Sequence, residues 1–451
     1  MASDHPHLEE ERDFELAHCL CNFLRQCPSA YHTVQVLVTR LEAAGFVRLA
    51  EGEPWRIKQG GRYYVTRNGS SIIAFVVGNE IETPYFSIAA SHSDSPTFKV
   101  KAVPEIAGPG DYVRLNVEGY GGIIERSWLD RPLSLAGRVM VEEDGNARCM
   151  LFAPDEDLLL IPSVAIHQDR NVNNEGALNR QVDLCPLFLA SGTSESSFVS
   201  MLAKRLGVLD AQVISHDLVL VNRQRPAVWG SAEEFVSGPR LDDLQCAYAS
   251  FEAFLEASES QSTKVFACFD NEEVGSGSMQ GALSTFLPTT LERLCDSMGL
   301  GRSEYLRAIS NSFLVSCDNA HAVHPNHPEL YDECNRAWLN GGVVIKESAS
   351  QRYTTNAVTR AFFRMLCHRA GVPTQTFANR SDSPGGSTLG NLLMRQLSMR
   401  AVDVGLPQLA MHSSYETAGV HDTAHLVRAL REIYSLEYSF DVDESFKIVG
   451  E

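Results

Sequence analysis

The sequence predicts an α/β protein carrying a long β-rich insertion, and three observations predict it. Four short apolar runs of strand length end in His, Asp or Glu, as strands do in open α/β sheets, where ligands collect beyond the carboxyl ends. An amphipathic helix opens the chain. From about Lys99 the texture changes to alternating strands and turns, and it changes back near residue 230.

Taken in order, Glu9 to Arg25 places Phe14, Leu16, Leu20, Phe23 and Leu24 on or near one helical face and stops before Pro28. Arg62 to Val77 reads as a hairpin turning at Asn68-Gly69, a dipeptide that accepts the positive φ of a tight turn. Tyr85 to Ala90 is strand-like and ends in Ser91-His92-Ser93-Asp94. Val113 to Val117, and a hairpin from Gly137 to Phe152 around Asp144-Gly145, belong to the β-rich stretch, which closes in a loop near Asn222 to Pro226. Beyond it, Pro239-Arg240-Leu241-Asp242-Asp243 follows a Gly-Pro break and precedes a helical stretch from about Leu244. Val265 to Phe269, Phe313 to Ser316 and Ala401 to Val404 are the remaining strand-like runs. The expected division is therefore 1–98, an insertion at 99–230, and 231–451.

Composition bounds the function. At 451 residues, with 44% hydrophobic and 21% charged, the chain has room for two or three domains and a sizeable core. A formal charge of −19 excludes nucleic-acid and anionic-membrane binding as main functions, because its field repels polyanions. The eleven cysteines include no CxxC pair, and several lie in apolar runs. With an opening Met1-Ala-Ser-Asp-His that lacks basic and apolar signal regions, they point to a reducing cytoplasm. No run reaches the roughly 18 apolar residues of a membrane span.

The chemistry concentrates in Cys268-Phe-Asp-Asn-Glu-Glu-Val-Gly-Ser276. Two adjacent carboxylates at the mouth of a buried strand are costly unless a cation or a proton offsets their desolvation. Alone, Glu272-Glu273 reads equally as a solvated acidic turn. His92, Asp242, Asp318 and His412, each just after a strand-like run or in a connecting loop, change that. With Glu273 they make an N/O donor set without thiolate, suited to Zn²⁺, Mn²⁺ or Co²⁺. Five ligands are too many for one open catalytic zinc and suit two ions sharing a carboxylate. Glu272 is left over as a base, and Asp94 is spaced to orient the ring of His92.

The segments SHSDSPTFKVK (91–101), DRPLSLAGRV (130–139), PRLDDL (239–244), CFDNEEVGS (268–276), SCDNAHAVHPN (316–326), QRYTTNAV (351–358) and VGLPQLAMHS (404–413) resemble those of aspartyl aminopeptidases, dinuclear zinc exopeptidases related to vacuolar aminopeptidase I. The likeness runs in the family's order to about Val427. It implies a mixed-sheet zinc-exopeptidase catalytic domain with an inserted oligomerisation domain, and assembly into a homododecamer that admits peptides. It implies His92, Glu273, Asp318 and His412 as ligands, Asp242 as the bridge, and Glu272 as the catalytic base. It further implies that Lys346 meets an acidic substrate side chain and that His167 reaches a neighbouring subunit's active site. Two departures bear on specificity: Ser350 stands where many relatives have lysine, and Ser414-Tyr415-Glu416 where many have an Arg-Glu pair. An aminopeptidase of neutral or broad specificity, a deacylase, a non-enzymatic shell and a peptide-binding module remain as alternatives.

Other conspicuous residues have plainer readings. His321, His324 and His327 are expected to be loop or subunit-contact residues, His216 and Asp217 structural, and Trp128 a packing residue at an interface. Ser381 to Thr388 is a turn-rich loop, equally an anion site or a mere helix start.

Overall fold

The computed structural model of the chain describes residues 5–80, 82, 84–174, 176–190 and 197–449. Its centre is a nine-stranded mixed sheet. Four parallel strands form the middle, in the spatial order Thr263–Phe269, Phe86–His92, Phe313–Cys317 and Arg400–Gly405. Alternate residues of these strands serve two different cores. Phe266, Cys268, Ala89 and Phe313 face a cluster that includes Leu20, Leu24 and Phe251 from helices His5–Gln26 and Leu241–Glu256. Val265, Ala267, Ile88 and Leu314 face a second cluster with Leu287 and Leu291 of helix Phe286–Ser297. Burial on both faces is why these runs read as continuously apolar rather than alternating.

The hairpin Arg62–Arg67 and Ser71–Val76 pairs antiparallel with Thr263–Phe269, its turn carried by Asn68 (φ 54°) and Gly69 (φ 70°). On the far side, Val343–Glu347 runs antiparallel to Arg400–Gly405 and parallel to Thr374–Ala378.

Between residues 97 and 222 the chain builds a six-stranded antiparallel sheet, ordered 146–152, 133–143, 213–222, 97–107, 113–120, 187–189. One face encloses a third core of Phe98, Val100, Leu135 and Leu218, closed by helix Phe198–Leu206. Trp128 belongs to this core rather than to an exposed interface: it is buried edge-on against Phe98, ring centroids 5.4 Å apart. His216 and Asp217 lie mid-strand, with Asp217 paired to Lys99 (3.1 Å) and Arg138 (3.0 Å). A five-stranded sheet, ordered 227–229, 235–238, 416–419, 407–409, 320–321, carries the segments around His412. Among the described residues no helix is long and apolar enough to cross a membrane.

Candidate metal centre

Strand register brings the motifs to one sheet edge. Phe269 pairs with His92 and Ser316 with Ala90, so the residues that follow leave the sheet side by side. The Ser93 amide donates to the Phe269 carbonyl at 2.7 Å and ties two exits together. After Phe269 a single helical turn holds Glu272 and Glu273 between Asn271 (φ 65°) and Gly275 (φ 91°). Asp242 and Asp243 sit where helix Leu241–Glu256 begins, with non-helical backbone at both. His412 is at φ 68°, a region costly for a non-glycine residue and one found disproportionately at functional sites.

Two groups of ligand-type atoms result. His92, Asp242, Asp243 and Asp318 form one and Asp242, Glu273 and His412 the other, with one donor atom per residue lying within 4.8 Å of the rest of its group. Asp242 belongs to both: Oδ1 lies 3.5 Å from His92 Nε2, and Oδ2 lies 3.5 Å from His412 Nε2. His412 Nε2 is also 3.4 Å from Glu273 Oε2. Asp243, which the sequence reading passed over, accepts the His92 amide at 3.0 Å. Its signal was present in the Asp242-Asp243 doublet, since the cost of burying adjacent carboxylates applies there as it does to Glu272-Glu273.

Electrostatics argue that the cluster is built around cations. Burial, reinforced by neighbouring carboxylates, pushes Asp243 and Glu273 well above the carboxylate range and Glu272 up to about 8. Burial also raises Asp318, although Lys346 opposes it. The histidines respond the other way. Burial works against their protons, but the carboxylates outweigh it, holding His92 well above its ordinary value and His412 up at about 10. Only Asp242 is held low, because His412 and His92 overcome its burial. Acids retaining protons beside histidines that gain them mark an excess of negative charge, which divalent ions would neutralise. The fit is specific. Asp242 Oδ1, Asp243 Oδ1 and Glu273 Oε1 are buried without a hydrogen-bond partner among the described residues, and an unpaired buried carboxylate oxygen is expensive.

Around the candidate ligands lies an ordered outer layer. His92 Nδ1 is hydrogen-bonded to the Asp94 backbone carbonyl at 3.1 Å, with Asp94 Oδ1 3.3 Å away, and the two Asp94 carboxylate oxygens accept the amides of Glu272 (3.1 Å) and Glu273 (3.2 Å). Glu416 accepts the amides of Asp242 (3.0 Å) and His412 (2.7 Å). His412 Nδ1 lies 2.6 Å from the Gly122 carbonyl oxygen. Such contacts fix ring orientation and ligand basicity.

Glu272, Lys346 and the five expected ligands line one pocket together with His321, Tyr353, Phe377 and Thr388. Lys346 is buried and donates to Asp318 Oδ1 (3.2 Å) and to the Asn319 carbonyl (2.7 Å). His321 contributes to the pocket wall. His324 and His327 pack tilted against each other outside that lining, ring centroids 5.2 Å apart. Gly386, Ser387 and Thr388, from the turn-rich loop, reach the pocket wall. His167 does not: it sits exposed on the loop after Ile161 and is absent from the pocket of its own chain.

Comparison with known proteins gives a consistent picture. The family model described as aminopeptidase I zinc metalloprotease (M18) matches residues 23–434. A probable M18 family aminopeptidase 2 of Clostridium novyi is 42% identical over 428 residues, covering 94% of this chain and 99% of its own. A solved complex of Ape4 with Nbr1 aligns with a TM-score of 0.91 at 37% identity, over 94% of this chain and 86% of that one. A dodecamer of mApe1 from S. cerevisiae aligns with a TM-score of 0.81 at 26% identity, over 93% of this chain and 96% of that one.

Proposed function

The chain belongs to the M18 family of zinc aminopeptidases, and from that premise we propose that it removes N-terminal residues from peptides, preferring acidic ones, at a centre of two divalent cations with Glu272 as general base. The observation that carries the two-ion centre is Asp242, whose separate oxygens approach His92 and His412 at 3.5 Å each.

His92, Asp318 and Asp242 would hold one ion, with Asp243 behind them, and Asp242, Glu273 and His412 the other. When bound, the ions would polarise the scissile carbonyl, acidify a water and draw the Glu272 pKa down toward neutrality. Zinc suits the donor set, and cobalt or manganese would also be accepted. The protein's own part is proton traffic and positioning. Glu272, on the pocket wall, takes a proton from the attacking water and returns it to the departing peptide amine. Asp94 holds the His92 ring and, through two amides, the Glu272-Glu273 backbone. Lys346 has three N–H donors and commits two to Asp318 and Asn319, leaving one for a substrate carboxylate. That local cation is what offsets the −19 field for an acidic substrate.

We assign residues 99–230 to assembly. Val103, Val164, Val182 and Ile214 are strongly exposed there, at 77%, 56%, 65% and 55%, and apolar groups so placed favour a subunit contact. The likeness to the mApe1 dodecamer supports a homododecamer, in which His167, exposed and outside the pocket of its own chain, would complete a neighbour's site. The test is a side-by-side assay of Asp-, Glu-, Leu- and Lys-anilides after chelation and restoration with zinc, cobalt or manganese. Equal turnover of all four would replace the acidic preference with broad specificity, and activity that survives chelation would remove the metal centre.

A further inference from the structure

The outer layer of the centre is not supplied by the catalytic sheet alone. Tyr120 ends a strand of the six-stranded sheet, Val113–Tyr120, yet its hydroxyl donates to Asp94 Oδ2 at 2.6 Å. The same oxygen atom of Tyr120 accepts from Asn271 Nδ2 at 2.9 Å. Asn271 directly precedes Glu272 in the chain, and Asp94 accepts the Glu272 and Glu273 amides. The hydroxyl therefore holds both groups that fix the backbone of Glu272. The loop that follows is pressed against the rest of the centre. Gly121 has φ +77°, and a Cβ there would lie 3.1 Å from Glu273 Cβ; one on Gly122 would lie 3.3 Å from His412 Nδ1. A side chain at Gly121 would be strained by that φ, and one at Gly122 would press on the His412 ring.

From this geometry we infer that Tyr120 is a positioning residue for the Glu272 carboxylate, delivered to the catalytic sheet by the six-stranded one. It touches neither substrate nor ligands and acts through Asp94 and Asn271. Burial and the Asp94 carboxylate raise its pKa strongly, so the phenol keeps the proton that it donates. The inference rests on Glu272 being the base, as proposed above.

The test uses the full-length, zinc-loaded enzyme and a peptide anilide. Tyr120→Phe removes only the hydroxyl. Expected are a kcat lower by about 10- to 100-fold, a KM within about twofold, and unchanged bound zinc. In the metal-free protein, amide exchange at residues 271–273 should become faster. A double-mutant cycle then separates positioning from mere scaffolding, because a residue that works through Glu272 has little left to lose once Glu272 is gone. Adding Tyr120→Phe to Glu272→Gln should lower kcat by less than about twofold. Normal kcat in the single variant, or full additivity in the double, would overturn the inference. Asn271→Gly keeps the left-handed backbone and deletes the other bond to the hydroxyl; it should show the same kcat-only loss, and normal turnover there counts equally against Tyr120. If Glu272→Gln itself stays active, the base assignment fails. If it is inactive while Tyr120→Phe is normal, only the positioning role fails.

Discussion

Lys346 Nζ lies 3.2 Å from Asp318 Oδ1, so the buried lysine of the pocket is already bound to a candidate metal ligand. In the proposed reaction the same residue would both hold Asp318 and read the substrate. Lys346→Met separates the two duties. Every substrate should lose activity as Asp318 loses its partner. An Asp-anilide should lose about 30-fold more than a Leu-anilide, since only the acidic side chain forfeits a charge-assisted bond worth about 2 kcal/mol. Equal losses in kcat/KM for both anilides would leave Lys346 purely structural.

Asp242 stands in both ligand groups, so substitutions around it should be distinguishable by metal analysis. Asp242→Asn is expected to leave neither ion tightly held, and His412→Ala to leave one. Asp243→Asn should weaken metal affinity by about 10- to 100-fold through the His92 amide it anchors. Elemental analysis after dialysis measures all three. Two ions retained in Asp242→Asn would dismiss the bridge.

Glu272→Gln preserves size and removes the proton acceptor. Bound metal should be unchanged while kcat falls by about 100- to 10,000-fold. A variant with near-normal turnover would transfer the base role elsewhere.

Stability should carry a pH signature far from the centre, where Asp13 of the first helix meets His421 Nδ1 (3.1 Å) and Arg428 Nη1 (2.7 Å). Asp13 is lowered because His421 and Arg428 overcome its burial, and His421 is raised chiefly by its hydrogen bond to Asp13. A lowered carboxyl stabilises above its unfolded pKa, about 3.9, and loses that as pH falls through its folded value. A raised histidine stabilises below its unfolded pKa, about 6.5, and loses that as pH rises through its folded value. Both contributions are complete only between about pH 4 and 6.5. Asp13→Asn should cost about 1 kcal/mol there, because His421 and Arg428 remain partly solvated, and less on either side. A penalty in thermal or denaturant unfolding that is flat with pH would show that the network carries no ionic contribution.

Much of the local structure was legible because local chemistry dictates it. Asn68-Gly69 and Asp144-Gly145 take the positive φ of tight turns, and the hairpins close there. Apolar period gave the first helix as Glu9 to Arg25, and the folded helix runs from His5 to Gln26. Donor types at or near strand ends singled out His92, Asp242, Glu273, Asp318 and His412, and these side chains line one pocket. Trp128 was misplaced for want of long-range information: its burial depends on Phe98, thirty residues away in the chain and 5.4 Å away in space.

What the amino-acid order determined by itself was therefore the inventory: which side chains stand at the ends of buried strands and which could bind metal or move a proton. Tertiary structure decided their grouping. Only the folded chain shows that Asp242 faces both histidines, that Lys346 is engaged with Asp318, and that Asp243 falls in one group of ligand-type atoms with His92 and Asp318. The physical reason is that hydrogen bonds and charge act over a few ångströms of space, whatever the length of chain between the partners.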